Sequence, residues 1–190
     1  MDSTEPRDLE SLQQAVRRGA RPKLLLFWGH TANASGKDVG KECLSQWYGA
    51  PFSLGGRTFP TAEHYMMFQK ALLFRDDQAA EKILAAKSPA IAKKLGRTVK
   101  GFVQGAWDEE RLRFVADGNE AKFDQHPRLR AFLLATKDKV LVEASPRDRI
   151  WGIGLPETDS RAANPLTWRG LNLLGFALMI ARSRLAAAHK

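Results

Sequence analysis

The stretch from Phe59 to Ala71, F-P-T-A-E-H-Y-M-M-F-Q-K-A, most constrains what the chain can fold into. Pro60 and Thr61 predict a helix start, with the Thr61 hydroxyl able to accept from an orphan backbone N–H. Glu63 then falls in the first turn, where the positive end of the helix dipole favours a carboxylate. Tyr65, Phe68 and Leu72, at i, i+3 and i+7, predict an apolar face that anchors this helix to a core. Upstream, Phe52 and Leu54 lead through Gly55-Gly56 to Arg57, Thr58 and Phe59, the pattern of a hairpin feeding the helix. A glutamate at such a mouth is either an ordinary first-turn acid or a carboxylate aimed at a ligand. The residues alone leave both readings open.

Around this segment the periodicities are mostly helical. Leu9, Leu12 and Val16 predict an amphipathic helix ending at Gly19, with Arg17, Arg18, Arg21 and Lys23 clustered beside its end. Lys23 to Trp28 reads as a short buried strand, and Leu44 to Tyr48 as an extended aromatic segment. Between them, His30 to Lys41 reads as a loop. Its Ser35-Gly36-Lys37 lacks the spacing of a phosphate-binding P-loop.

Asp76-Asp77 is expected to cap a helix running through Lys87, and Ser88-Pro89 to open another that ends at Gly96. Ile83, Leu84, Ile91, Ala92 and Leu95 are the expected packing residues of these two helices. A longer helix from Trp107, interrupted at Gly118, precedes one opened by Pro127, a strand at Val140 to Val142 and a loop from Leu155 to Thr167. Leu171 to Ala188 closes the chain as a helix, with Leu173, Leu174, Ala177, Leu178 and Ala181 as its buried stripe. Helices dominate and strands are short and scattered. The expected class is therefore α+β, a mostly helical single domain over residues 24–190 behind an extension, residues 1–23, that carries one helix.

Composition narrows the functional classes. At 190 residues and 44% hydrophobic, the chain suits one core-bearing domain, with Met1 to Glu5 expected to be disordered. No apolar run is long enough to span a bilayer, and the polar, acidic start argues against a secretory signal. One cysteine, Cys43, leaves no internal disulfide, so a cytoplasmic location is expected. Cys43 reads as a buried small side chain, with nucleophilic chemistry left open. His30, His64, His126 and His189 lack zinc-site spacing, so no metal is expected. The net charge of +9 favours phosphates, nucleotides or nucleic acid as partners. Oligomeric state is not written in these features.

Two further segments carry candidate chemistry. In Glu143 to Gly154, Arg147, Asp148 and Arg149 adjoin Trp151, which is either a surface ion-pair loop or a place where a base stacks and a phosphate pairs. Trp107 precedes Asp108, Glu109 and Glu110, and also reads as a hydrophobic staple at a helix start.

From Leu24 to Arg184 the chain resembles the NADAR family, the YbiA-like proteins. The resemblance is carried by L-S-Q-W-Y (44–48), P-F-x-L-G-G (51–56), T-A-E-H-Y-M-M-F-Q-K-A (61–71) and K-S-P-A-I-A-K-K-L-G-R (87–97). It continues through Val103 to Trp107, Ala121 to Phe123, L-V-E-A-S-P-R-D-R-I-W-G-I-G-L (141–155) and W-R-G-L-N-L-L-G-F-A-L-M (168–179).

That resemblance implies a metal-free, cofactor-free N-glycosidase. The implied substrates are ADP-ribose attached to guanine in nucleic acid, or early ribosylaminopyrimidine phosphates of riboflavin biosynthesis. It places catalytic weight on Glu63, Trp107 and Asp148. Trp151 would stack on the base with Trp107, and Arg147 or Arg149 would hold a phosphate. Lys70 and Asn172, inside matching motifs, join the expected substrate-binding set with Gln46 and Trp47. The last two stand where many relatives carry Asn-Phe, which bears on base or ribose recognition.

Overall fold

The computed structural model describes residues 6–31 and 39–189; Met1 to Glu5 and the Ser35-Gly36-Lys37 triplet lie outside them. In chain order the elements are α1 (Leu9–Arg17), β1 (Leu24–Phe27), β2 (Phe52–Leu54), β3 (Arg57–Phe59), α2 (Ala62–Leu73) and α3 (Asp77–Leu84). They continue with α4 (Pro89–Gly96), α5 (Gln104–Gln125), α6 (Pro127–Ala135), β4 (Val140–Glu143) and α7 (Leu173–Ala188). This is an α+β fold, helices surrounding two small strand pairs. None of the described helices is long and apolar enough to cross a membrane.

β1 and β4 pair in parallel, with Leu24 opposite Val140 and Phe27 opposite Glu143. Parallel strands need cover, and α7 supplies it for β4, whose Val140, Leu141 and Val142 are buried. The amides of Val140 and Ala144 turn toward β1, donating to Lys23 and Phe27 carbonyls. Leu141 and Glu143 therefore present their backbone groups to the opposite edge. The Asn172 side chain fills that edge as a third strand would. Its amide NH2 donates to the Leu141 carbonyl at 2.9 Å, and its oxygen accepts from the Glu143 N–H at 2.9 Å. Asn172 does this from a left-handed backbone conformation (φ 55°) at the start of α7. A Cβ on Gly175 would sit 2.0 Å from the Leu141 carbonyl oxygen, so glycine is what permits the approach.

The central helix, α2, is buried from Ala62 through Phe68, enclosed by α3, α4 and α5. Its start is capped as expected by the Thr61 side chain, which accepts from the His64 N–H. The Gln46 carbonyl accepts from the Glu63 N–H at 3.0 Å. The β2–β3 hairpin turns at Gly55 and Gly56, both at positive φ. Asp76 and Ser88 cap α3 and α4.

Several expectations give way to tertiary contacts. Gly118 does not interrupt α5; the Tyr65 ring lies against it, 2.5 Å from where a Cβ would stand. Residues 44–48 are not extended: a 3-10 turn at Lys41–Leu44 leads into further turns. The reason is Lys122, fully buried on α5, whose ammonium donates to the Cys43 and Ser45 carbonyls at 2.7 and 3.0 Å. Burial pushes that lysine's pKa down to about 8. Helix α3 ends at Leu84, short of Lys87, and the 155–167 loop holds two 3-10 turns. Leu72, Ile91 and Trp28 are exposed, and Leu84, Leu95 and Leu173 are only partly buried. Helix α1 rests on the second of those turns, with Leu12 buried and the Gln13 side chain donating to the Pro165 carbonyl.

Replacing Gly175 by alanine is expected to force α7 off β4. Thermal unfolding should register a loss of at least about 2 kcal/mol, a melting temperature lower by roughly 5 °C or more.

Candidate functional site

A cavity of about 870 Å³ opens where β1 and β4 end, the side of a parallel pair on which ligands commonly bind. One face of α2, Glu63, Met66, Met67 and Lys70 at i, i+3, i+4 and i+7, forms one wall. Lys93 and Gly96 of α4, with Arg97 at its C-cap, form the adjoining wall. The two helices touch closely because Gly96 has no Cβ; one there would meet the Met67 sulfur at 2.0 Å. Trp28 to Thr31 beyond β1, Glu143 at the end of β4, and Ser145 and residues 147–151 beyond it close the remainder with Ser45, Trp47 and Trp107.

Glu63 is 2% exposed, and its Oε1 has no hydrogen-bond partner. Burial pushes its carboxyl up to about 7, as does the Asp148 charge, while the Lys93 ammonium, the Trp47 side chain and Arg97 pull the other way. Glu143 was given no role by the sequence, yet it lines the same cavity with its Oε2 buried and unpartnered. Burial, then the charges of Asp148 and Glu63, push Glu143 up to about 8 against the pull of Lys93. Asp148 completes a group of three carboxyls. Its Oδ1 accepts from the Ile150 and Trp151 amides at 2.9 and 2.8 Å, so this residue also shapes the turn that presents Trp151.

Lys70, Lys93, Arg97, Arg147 and Arg149 bring five cations to the cavity, and among the described residues none forms an ion pair. Lys70 lies over the Phe102 ring at 4.1 Å and over Trp107 at 5.7 Å, and burial lowers its pKa. Lys93 lies 5.9 Å from the Trp47 ring, which is also tilted against His30.

Eight of the ten expected site residues line this cavity: Glu63, Asp148, Trp107, Trp47, Trp151, Arg147, Arg149 and Lys70. Gln46 and Asn172 do not. The Gln46 side chain accepts from the Asn119 amide at 2.8 Å inside the core, and the Asn172 side chain is consumed by β4. Trp107 is 7% exposed and stacked on Phe114, and α5 begins three residues before it, at Gln104. It therefore occupies the staple position relative to Phe102 and lines the cavity as well. Of the basic residues outside the expected set, Lys93 and Arg97 reach the cavity, whereas Arg17, Arg18, Arg21 and Lys23 do not.

Cys43 is buried, which pushes its thiol up to about 12 and leaves it inert as a nucleophile. His64 is locked between the Thr61 hydroxyl and the Ala86 carbonyl, away from the lining. Among the described residues no three His, Cys, Asp or Glu side chains are grouped to hold a metal ion.

Residues 26–186 match the NADAR domain profile. An N-glycosidase of Acanthamoeba polyphaga mimivirus is 40% identical over 162 residues, 83% of this chain and 93% of that protein. N-glycosidase YbiA of Escherichia coli is 35% identical over 136 residues, covering 72% of this chain and 76% of that one. The solved structure of Escherichia coli YbiA superposes with a TM-score of 0.70 at 28% identity, over 93% of each chain. A Zea mays protein named riboflavin biosynthesis protein PYRR, chloroplastic, is 37% identical over 135 residues, 67% of this chain but 20% of that protein.

The raised carboxyls make stability depend on pH. Glu63 and Glu143 keep protons that the unfolded chain releases above its ordinary value of 4.5. Their stabilising contribution is therefore complete below pH 4.5 and lost as pH rises through about 7 and 8. His64, pushed by burial below its ordinary value of 6.5, acts in the opposite sense, so the readout is a difference. Wild type is expected to lose more melting temperature between pH 5 and pH 9 than Glu63→Gln or Glu143→Gln, each variant being the more stable protein at pH 9.

Proposed function

The chain belongs to the NADAR domain family, and from that membership we propose that it is an N-glycosidase. It hydrolyses the bond between the anomeric carbon of a phosphorylated ribosyl group and a nitrogen. One observation carries this reading: a buried glutamate, Glu63, with one oxygen left unpartnered, lines a cavity whose cations suit phosphate. Breaking an N-glycosidic bond places positive charge on the ribose ring. A carboxylate out of water stabilises that charge more strongly than it stabilises the neutral ground state, which is what lowers the barrier. Asp148 keeps its second oxygen for the attacking water while the first is held by backbone amides. Trp47, Trp107 and Trp151 offer aromatic surface to the base, and Lys93, Arg97, Arg147 and Arg149 offer charge to the phosphates. No step is assigned to a metal or a redox cofactor.

For the substrate we favour ADP-ribose on guanine in nucleic acid. The net charge of +9, five cavity cations and a volume near 870 Å³ suit a diphosphate-bearing ligand on a polyanion. The Zea mays relative supports a second substrate, the ribosylaminopyrimidine phosphates, through its name. A non-catalytic ADP-ribose module fits less well, since buried carboxyls facing an anion weaken binding and serve only chemistry. Tight calorimetric binding of ADP-ribose with no turnover would favour that module.

Glu63→Gln keeps size and hydrogen bonding, so it should fold and lose turnover by about a hundredfold or more. Wild-type release of free base by that variant would end the glycosidase reading. ADP-ribose release from a modified oligonucleotide should exceed ribose phosphate release from the pyrimidine substrate, and should fall from low to physiological salt. Preference for the pyrimidine with no salt effect would assign the second substrate instead.

A further inference from the structure

Glu143 stands outside the roles given above. It ends β4 opposite Phe27, and its backbone is pinned on both sides. The N–H is held by Asn172, and the carbonyl accepts from the Ile153 amide at 2.9 Å. A Cβ on Gly152 would come within 2.8 Å of that carbonyl, so the 145–154 loop is pressed against this residue. Such anchoring fixes the direction in which the side chain leaves the strand. The residue lines the cavity, and its Oε2 is buried and without a partner.

We propose that Glu143 is the acid that protonates the departing nitrogen, an assignment that rests on the N-glycosidase reading above. The groups facing it support the role. Glu63 comes from α2 and Asp148 from the loop after β4, both anionic when ionised, with Lys93 of α4 and His30 beyond β1 in the same cavity. β1, paired alongside, carries only apolar side chains, and α7 presents Asn172. Burial and two carboxyl neighbours favour a proton on Glu143. Burial raises both glutamates, Glu143 to about 8 and Glu63 to about 7, and we place the transferable proton on Glu143, which is anchored at the strand end beside both other carboxyls.

The step balances without a co-reactant other than water. The C1′–N bond breaks with its electron pair remaining on nitrogen, and the Glu143 proton moves to that nitrogen. Water adds its oxygen to C1′ and passes a proton to the Asp148 carboxylate. Exchange with solvent returns a proton to Glu143 and removes the one on Asp148.

The test is the pH profile of kcat/KM for wild type, Glu143→Gln and Glu143→Asp, beside δ-carbon NMR of 13C-labelled glutamate in wild type and Glu63→Gln. Wild type should lose activity on the alkaline side near pH 8. Glu143→Gln should be slower by about a hundredfold and lack that limb, whereas Glu143→Asp, still an acid, should retain it. Glu143 should titrate near 8, and lower once Glu63 is neutral. Wild-type rates or an intact alkaline limb in Glu143→Gln would overturn the assignment while leaving the glycosidase standing. If Glu143→Gln does not fold, a wild-type Glu143 midpoint near 4.5 overturns it equally. A wild-type protein that releases base from no ribosyl-nitrogen substrate sinks the glycosidase reading itself, and the acid role with it.

Discussion

A buried glutamate, Glu63, and a partly buried one, Glu143, each with one buried carboxyl oxygen that has no hydrogen-bond partner among the described residues, set the requirement that the surrounding structure meets. Leaving buried polar atoms unpartnered costs free energy, and a pliable frame would relax until water or a lysine satisfied them. Here the frame does not yield. Glu63 is fixed by the Thr61 cap and the Gln46 carbonyl at the start of α2, and Glu143 by Asn172 and Ile153 at the end of β4. Glycines 96, 152 and 175 let neighbouring segments approach to distances that a Cβ would forbid, which leaves no slack between them. The cavity cations do not quench the acids: among the described residues none of the three carboxyls lies in an ion pair with them.

What could be read in advance was local. Gly55-Gly56, Thr61, Asp76 and Ser88-Pro89 act through neighbours a few residues away, and each turn or cap forms where its chemistry predicts. The face of α2 that meets the cavity was also present as Glu63, Met66, Met67 and Lys70. The adjacent apolar residues drew attention to Tyr65, Phe68 and Leu72 instead. A helix buried on nearly every side offers no contrast by which to choose.

The rest depends on pairings distant in sequence. A lysine inside α5 reads as solvated, and nothing near Lys122 announces the two carbonyls it holds some 77 and 79 residues away. Asn172 reads as a polar residue in a motif until β4 supplies an open edge. Glu143, next to a loop crowded with charge, becomes a cavity acid only through its register with Phe27 and the α7 clamp. These are tertiary facts, and no periodicity encodes them.

On the N-glycosidase reading proposed above, the same cavity carries opposite charges for opposite ends of one ligand. Lys93 and Arg97 lower the proton affinity of Glu63 in the free protein. An anion seated on those cations offsets their pull, and at a few ångströms in a partly dry space such a change is substantial. On that reading, Glu63 then holds its charge less readily until positive charge develops on a ribose ring beside it. The carboxylate is stabilised most at the moment when bond breaking needs it, and least in the resting complex. A ground state that gains little and a transition state that gains much is the arrangement that accelerates a reaction.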